Sequence, residues 1–154
     1  MCVSTFARTV TVDFFDMTST SAPLDRNDYG KFIIRAMVAG LILFHGIGKL
    51  LDPSGTVGWL GSALTAMHLP AFFAYGVYLG EVVGPIMVLA GLYSRIGGVL
   101  IAVNMLFALA IAHAGEIFAL TASGTWAIEH QMFYLLSAIA VAVYGSGRIA
   151  VKPD

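Results

Sequence analysis

Four long stretches of the chain are almost entirely apolar, and short polar segments separate them. They lie near residues 32–51, 71–92, 96–114 and 128–147. Each holds about 20 residues, the length a helix needs to cross the hydrocarbon of a bilayer. The third, IGGVLIAVNMLFALAIAHA, carries one Asn and one terminal His around its whole circumference. A water-soluble bundle would show a polar stripe at helical period, and this stretch has none. Lys31 and Arg35 open the first stretch, Asp52-Pro53 stops it, and Arg148 follows the fourth. The pattern predicts an all-α, integral membrane four-helix bundle over residues 30–152, preceded by a flexible tail over residues 1–29.

Composition supports that prediction. Charged residues make up 11% of the 154, against about 25% in an ordinary soluble domain. So few charges cannot cover a water-facing surface, whereas a lipid-facing surface removes the need. No basic run suggests nucleic acid as a partner; the bilayer is the expected surrounding. Cys2 is the only cysteine, which excludes an internal disulfide, a CxxC redox pair and a cysteine-rich metal site. The first 29 residues carry Arg8, Asp13, Asp16, Asp25, Arg26 and Asp28 and lack the apolar core of a signal peptide. Met17 offers a second start, so the first sixteen residues read as an upstream extension.

Basic residues orient the spans. With the N-terminus inside, Arg8, Arg26, Lys31, Arg35, Arg95, Arg148 and Lys152 fall on the cytoplasmic side, and Lys49 falls alone on the other. This asymmetry predicts a multi-pass protein of the bacterial inner membrane with both termini cytoplasmic. Trp59 and Trp126 then fall in the outer loops, where an indole sits at headgroup level.

Small residues mark expected helix contacts. Gly76, Gly80 and Gly84 recur every four residues along the second span and form a ridge for close backbone approach. Gly98 and Ala102, and Ala138 and Ala142, offer similar pairs on the third and fourth spans. Pro85 follows Glu81 by four residues, so its ring opposes the Glu81 carbonyl and predicts a kink there.

Charged groups inside a span nominate the site. Each costs at least about 2.5 kcal/mol near the membrane centre and needs a partner, water or a route to the interface. Glu81 lies about 15 Å from either end of its span, too deep for a short side chain to escape. Arg35, His45 and Lys49 share one face of the first span, within an arc of about 80°. Lys49 and Arg35 lie close enough to opposite surfaces to snorkel; His45 lies deeper. A Glu81–His45–Lys49 cluster opening outward is the expected site. His113, Glu116, Glu129 and His130 bracket the loop between the third and fourth spans. Glu129, His130 and Gln131 occupy the first turn of the fourth helix, where a carboxylate suits the positive helix end. Arg35 and Glu129 are further ligand-binding candidates. Asn104, in mid-span, is expected to hydrogen-bond another helix. No spacing of His and acidic residues suits a metal, and ExxH, which a di-iron bundle repeats on two helices, is absent from every span. No intrinsic cofactor is expected.

These residues carry a family resemblance. The first span reads Arg35, then Gly40-Leu-Ile-Leu-Phe44-His45-Gly46-Ile-Gly-Lys49-Leu50. The second reads Gly80-Glu81-Val-Val-Gly84, followed by Gly91-Leu92-Tyr93-Ser94-Arg95, and the fourth ends Tyr144-Gly145-Ser146-Gly147-Arg148. In order and spacing, residues 30–152 resemble the DoxX family of small four-helix membrane proteins. The resemblance implies positions of interest at Arg35, His45, Lys49, Glu81, Arg95 and Glu129. It also implies an association with membrane oxidoreductase complexes and with sulfur or oxidative stress.

Three functions fit this pattern. The first is a membrane subunit of a quinone-linked oxidoreductase or redox complex, with a quinone as cofactor and a soluble or membrane partner supplying electrons. The chain shows no redox centre of its own, so independent catalysis stays open. The second is a non-enzymatic anchor or assembly factor. The third is a small-solute transporter, which with four helices would work as a homo-oligomer.

Overall fold

A computed structural model describes residues 23–154. The tail expected over residues 1–29 therefore lies largely outside the described residues. Its last four residues do not belong to a tail: helix α1 spans Arg26–Leu51. Asp25 caps it, accepting from the Asp28 backbone N–H at 2.8 Å, while the Asp28 carboxylate accepts from the Asp25 N–H at 3.2 Å. This reciprocal box satisfies two orphan donors and starts the helix six residues before the apolar run begins.

Asp52-Pro53 ends α1 and starts a second helix, α2 (Pro53–Ala66). Asp52 accepts from the Gly55 N–H at 2.9 Å, and proline is pre-shaped for the first helical position. The expected outer loop is therefore mostly helical. Helix α3 (Ala71–Ala90) follows. It ends at Gly91, whose φ of 71° is the left-handed C-cap that glycine adopts without strain. Helix α4 covers Ser94–Ala112. A connection with a short 3-10 turn at Ala114–Glu116 leads to helix α5 (Glu129–Tyr144).

Helices α1, α3 and α4 are long and apolar enough to cross a membrane. Helix α5 has 16 residues, about 24 Å at 1.5 Å per residue. It is shorter than the 20 residues expected, because Gly145 at φ 70° ends it and the chain turns back.

The core lies where α1, α3, α4 and α5 meet. Val38, Ala39, Ile42, Val88, Ile101 and Ala138 are fully or almost fully buried there. Phe44, Ile96, Leu106, Leu136 and Val143 face outward, as lipid contact requires. Association between such helices rests on close packing, since lipid tails are as apolar as the side chains. Small residues supply it. A Cβ on Gly98 would come within 2.8 Å of the Ala138 carbonyl and the Ala142 nitrogen. A Cβ on Gly97 would come within 2.8 Å of the Gly84 carbonyl. Gly80 and Gly84 both meet α4, but Gly76 does not. Nothing lies within 4 Å of a Cβ built there, because Gly76 borders a cavity.

The segment after α5 closes one end of the bundle. Val151 and Lys152 donate backbone N–H groups to the carbonyls of Ala90 and Gly91 at 3.0 and 3.1 Å. The Arg148 N–H donates to Asp28 at 3.2 Å, and its guanidinium pairs with that carboxylate at 3.7 Å. The start of α1 and the C-terminal segment thus lie at the same end.

Candidate functional site

The site is built around an irregular turn in α3. Proline at position 85 has no N–H, and its ring excludes the carbonyl four residues back, that of Glu81. The helix responds by widening: residues Leu79–Val83 form a π-helical turn, between an α turn at Gly76–Tyr78 and an α segment at Gly84–Ala90. Such turns frequently mark functional positions. The Glu81 carbonyl then faces Gly46 of α1, where any Cβ would collide with it. The two helices therefore touch backbone to backbone beside the acid.

Glu81 is 4% exposed. Its Oε1 accepts from Lys49 Nζ and from Asn104 Nδ2, the latter at 3.1 Å. Gly80 makes room for that amide, because a Cβ there would overlap the Asn104 side chain. Tyr78 and Thr56 donate their hydroxyls to the Lys49 carbonyl at 3.3 and 3.5 Å, holding the end of α1 in place. Oε2 of Glu81 is buried and has no hydrogen-bond partner. A buried polar atom without a partner costs about 1–3 kcal/mol, more on a charged group, and calls for an explanation.

A cavity of about 610 Å³ supplies one. Glu81, Lys49, His45 and Asn104 line it together with His113, His130, Gln131 and Tyr134. The rest of the wall is mostly apolar. Trp59, Phe73, Leu79, Val103 and Phe107 belong to that wall and are also exposed on the protein surface, so the cavity is open between helices on a face that suits lipid. Volume, apolar walls and a few convergent polar groups are the marks of a small-molecule site.

The structure thus brings the candidates Glu81, Lys49 and His45 to one cavity. His45 makes no bond to Glu81; its ring meets the edge of Tyr134 at 6.0 Å between centroids. The other two candidates lie elsewhere. Glu129 is exposed and does not line the cavity. Arg35 is 2% exposed and does not snorkel. Its Nε donates to the Val88 carbonyl at 2.9 Å, Nη2 to Leu89 at 3.3 Å, and Nη1 to Ser146 and Ile149 at 2.6 and 2.8 Å. It ties the last turn of α3 to the C-terminal segment.

Sequence reasoning missed Gln131 and Tyr134 as cavity residues, and placed Trp59 in a loop at the membrane surface. Trp59 is on α2 and walls the cavity. The Asp52-Pro53 pair was the available signal for α2; nothing in the sequence linked Gln131 to Glu81. Among the described residues, no three His, Cys, Asp or Glu side chains gather as a metal site would require.

The DoxX family profile matches residues 30–114, more than half of the chain. The chain belongs to the DoxX family. A Bacillus subtilis (strain 168) protein named "Putative oxidoreductase CatD" is 32% identical over 127 residues, covering 82% of this chain and 87% of that protein. No solved structure matches the chain. In this DoxX protein Arg35 and Glu81 lie apart: Arg35 closes one end of the bundle and Glu81 lines the cavity.

Proposed function

We propose that this DoxX protein is a membrane subunit of a quinone-linked oxidoreductase, with the quinone head group held in the Glu81 cavity. The buried, unpaired Oε2 of Glu81 in a mainly apolar, laterally open cavity carries the reading. A lipid-soluble ring with two oxygen functions suits such a site. The oxidoreductase name of the Bacillus subtilis relative points to the same class of chemistry. The site lies in the bacterial inner membrane with both termini cytoplasmic, a placement supported by the basic residues.

When bound, a quinone supplies the two-electron couple that the chain itself lacks. The chain's residues do the rest. Glu81 carries a proton to or from a ring oxygen, and Lys49 balances its charge between transfers. His45 is within the same cavity and donates a hydrogen bond to a ring oxygen. The apolar wall excludes bulk water and orients the ring. Electrons come from a partner oxidoreductase subunit.

Purification in a gentle detergent, with mass spectrometry of proteins and lipids, tests this directly. Retained quinone or a stoichiometric oxidoreductase partner is expected. In membranes that contain the partner, Glu81→Gln should lower quinone turnover about a hundredfold with normal insertion. Unchanged turnover in that variant would sink the reading. A protein free of both quinone and partner would move the weight to an anchor or a transporter.

A further inference from the structure

The cavity contains a second buried acceptor without a partner. Gln131 lies in the first turn of α5, and its Oε1 is buried and unbonded. Its Nε2 lies 2.9 Å from Nε2 of His113, the residue that caps α4. On the other side of that ring, His113 Nδ1 lies 2.7 Å from Oε2 of Glu116.

These contacts fix one another's direction. A carboxylate only accepts, so the hydrogen sits on His113 Nδ1. With that one hydrogen the ring offers a lone pair at Nε2. Only the NH2 of Gln131 can fill it, so the amide oxygen must turn the other way. Glu116 thus sets the tautomer of His113, and His113 sets the orientation of Gln131. At the other site, Lys49 and Asn104 both bond Oε1 of Glu81 and leave Oε2 bare. Glu81 and Gln131 both line the one cavity, so its wall carries two acceptor oxygens without a partner, on α3 and on α5, each covered by its neighbours until the side chain turns.

We propose that this cavity selects the reduced, dihydroxy form of its aromatic ligand, a quinol, over the oxidised quinone. A quinol has two hydroxyl donors: one reaches Glu81 Oε2 and the other Gln131 Oε1. A quinone has two carbonyl acceptors and no donor, so its oxygens would face the Gln131 amide oxygen and, while Glu81 is ionised, the carboxylate, across a dry gap. Hydroxyl oxygens also accept, so His45 stays usable toward either form. The inference rests on the quinone reading of the cavity and adds a preference between redox forms. It gives Gln131 a role in specificity and makes Glu116 and His113 positioning residues that act through it.

The test is binding, not turnover. Decylubiquinol and decylubiquinone are titrated anaerobically into the full-length protein in detergent at pH 8. The expected result is a quinol affinity about tenfold above that of the quinone, the worth of one to two buried hydrogen bonds. Gln131→Leu should bring the two affinities together, chiefly by weakening the quinol. Gln131→Met, which keeps the side-chain length without the acceptor, should do the same, and it replaces the leucine variant if that one fails to fold. Equal or tighter binding of decylubiquinone by the native protein overturns the preference while leaving the quinone site standing. Failure to bind either form overturns both.

Discussion

Arg35 and Glu81 are both charged side chains buried in an apolar bundle, and their surroundings differ in what they leave unfinished. The Arg35 guanidinium meets four backbone carbonyls, and each of its three nitrogens has a partner. Glu81 spends two donors on one oxygen and leaves the other bare beside a 610 Å³ cavity. A buried charge with four of its five N–H groups on fixed carbonyls has little left to offer a ligand; its role is to hold segments together. A buried charge with an open position next to space is where ligand chemistry can occur. Charge and depth alone do not separate these cases. The count of satisfied hydrogen-bonding positions does.

The largest effect belongs to the saturated end. Arg35→Met fits an apolar side chain of similar length into the same place but leaves the carbonyls of Leu89, Ser146 and Ile149 without this donor, while Val88 keeps the Gly91 N–H. A loss of at least about 3 kcal/mol is expected, because buried acceptors stripped of partners cost about 1–3 kcal/mol each. Unfolding in mixed micelles measures it. A native-like midpoint would show that the two ends do not differ as drawn.

Glu81→Gln should behave in the opposite way. The amide oxygen still accepts from Asn104, and Lys49, with 37% of its side chain exposed, keeps a route to water, so stability should fall by less than in Arg35→Met, by about 1–2 kcal/mol. Turnover should fall far more. If this variant unfolds as readily as Arg35→Met, Glu81 belongs to the architecture and not to the ligand site.

How much of this contrast can be read from the chain depends on the distance over which each signal acts. The spans follow from local hydropathy, and the kink at Glu81 follows from Pro85 four residues on. Depth matching pointed Glu81 to His45, whereas the structure bonds it to Lys49, one helical turn further on and close enough to the surface to have had another way out. The partners of Arg35 were not legible, because they are backbone carbonyls 53 to 114 residues away and carry no side-chain signature. Gln131 was hidden for a similar reason: its importance comes from a hydrogen-bond direction imposed by His113 and Glu116. The glycine ridge was legible in part. Its four-residue period assumes an unbroken α-helix, and α3 contains a π turn, so Gly80 and Gly84 pack on α4 while Gly76 borders the cavity.

A smaller effect at the saturated end comes from Gly91. Its φ of 71° suits glycine, and a Cβ there would come within 2.5 Å of the Ala150 Cβ and 2.6 Å of Arg35 Nη2. Gly91→Ala should cost about 1–2 kcal/mol through backbone strain and displacement of the C-terminal segment. Faster proteolysis after Tyr144 would report it, with the Glu81 cavity unaffected. Equal loss of ligand binding would mean that the two ends are coupled.

The smallest effect is one of pH. Asp154 accepts the Arg95 N–H at 3.0 Å and the Ser146 N–H at 2.9 Å, joining the start of α4 to the end of α5. Partial burial, the largest single influence, raises its pKa. The two backbone donors, the Ser146 hydroxyl and the Arg95 charge together outweigh it and hold the carboxyl below its ordinary 3.8. A group whose folded pKa is depressed stabilises fully above its unfolded value, and the contribution disappears as pH falls through the folded one. The clasp should therefore be intact near pH 6 and loosen below about pH 3.8, by less than about 1 kcal/mol for so exposed a carboxylate. Hydrogen exchange at the Ser146 and Arg95 amides would show faster opening as the pH is lowered, after correction for intrinsic rates. In Asp154→Asn that pH dependence should vanish, while the four bonds of Arg35 keep the segment in place. Persistence of the acid response in Asp154→Asn would assign it to the carboxylates at the start of α1, Asp25 and Asp28, of which Asp28 holds Arg148.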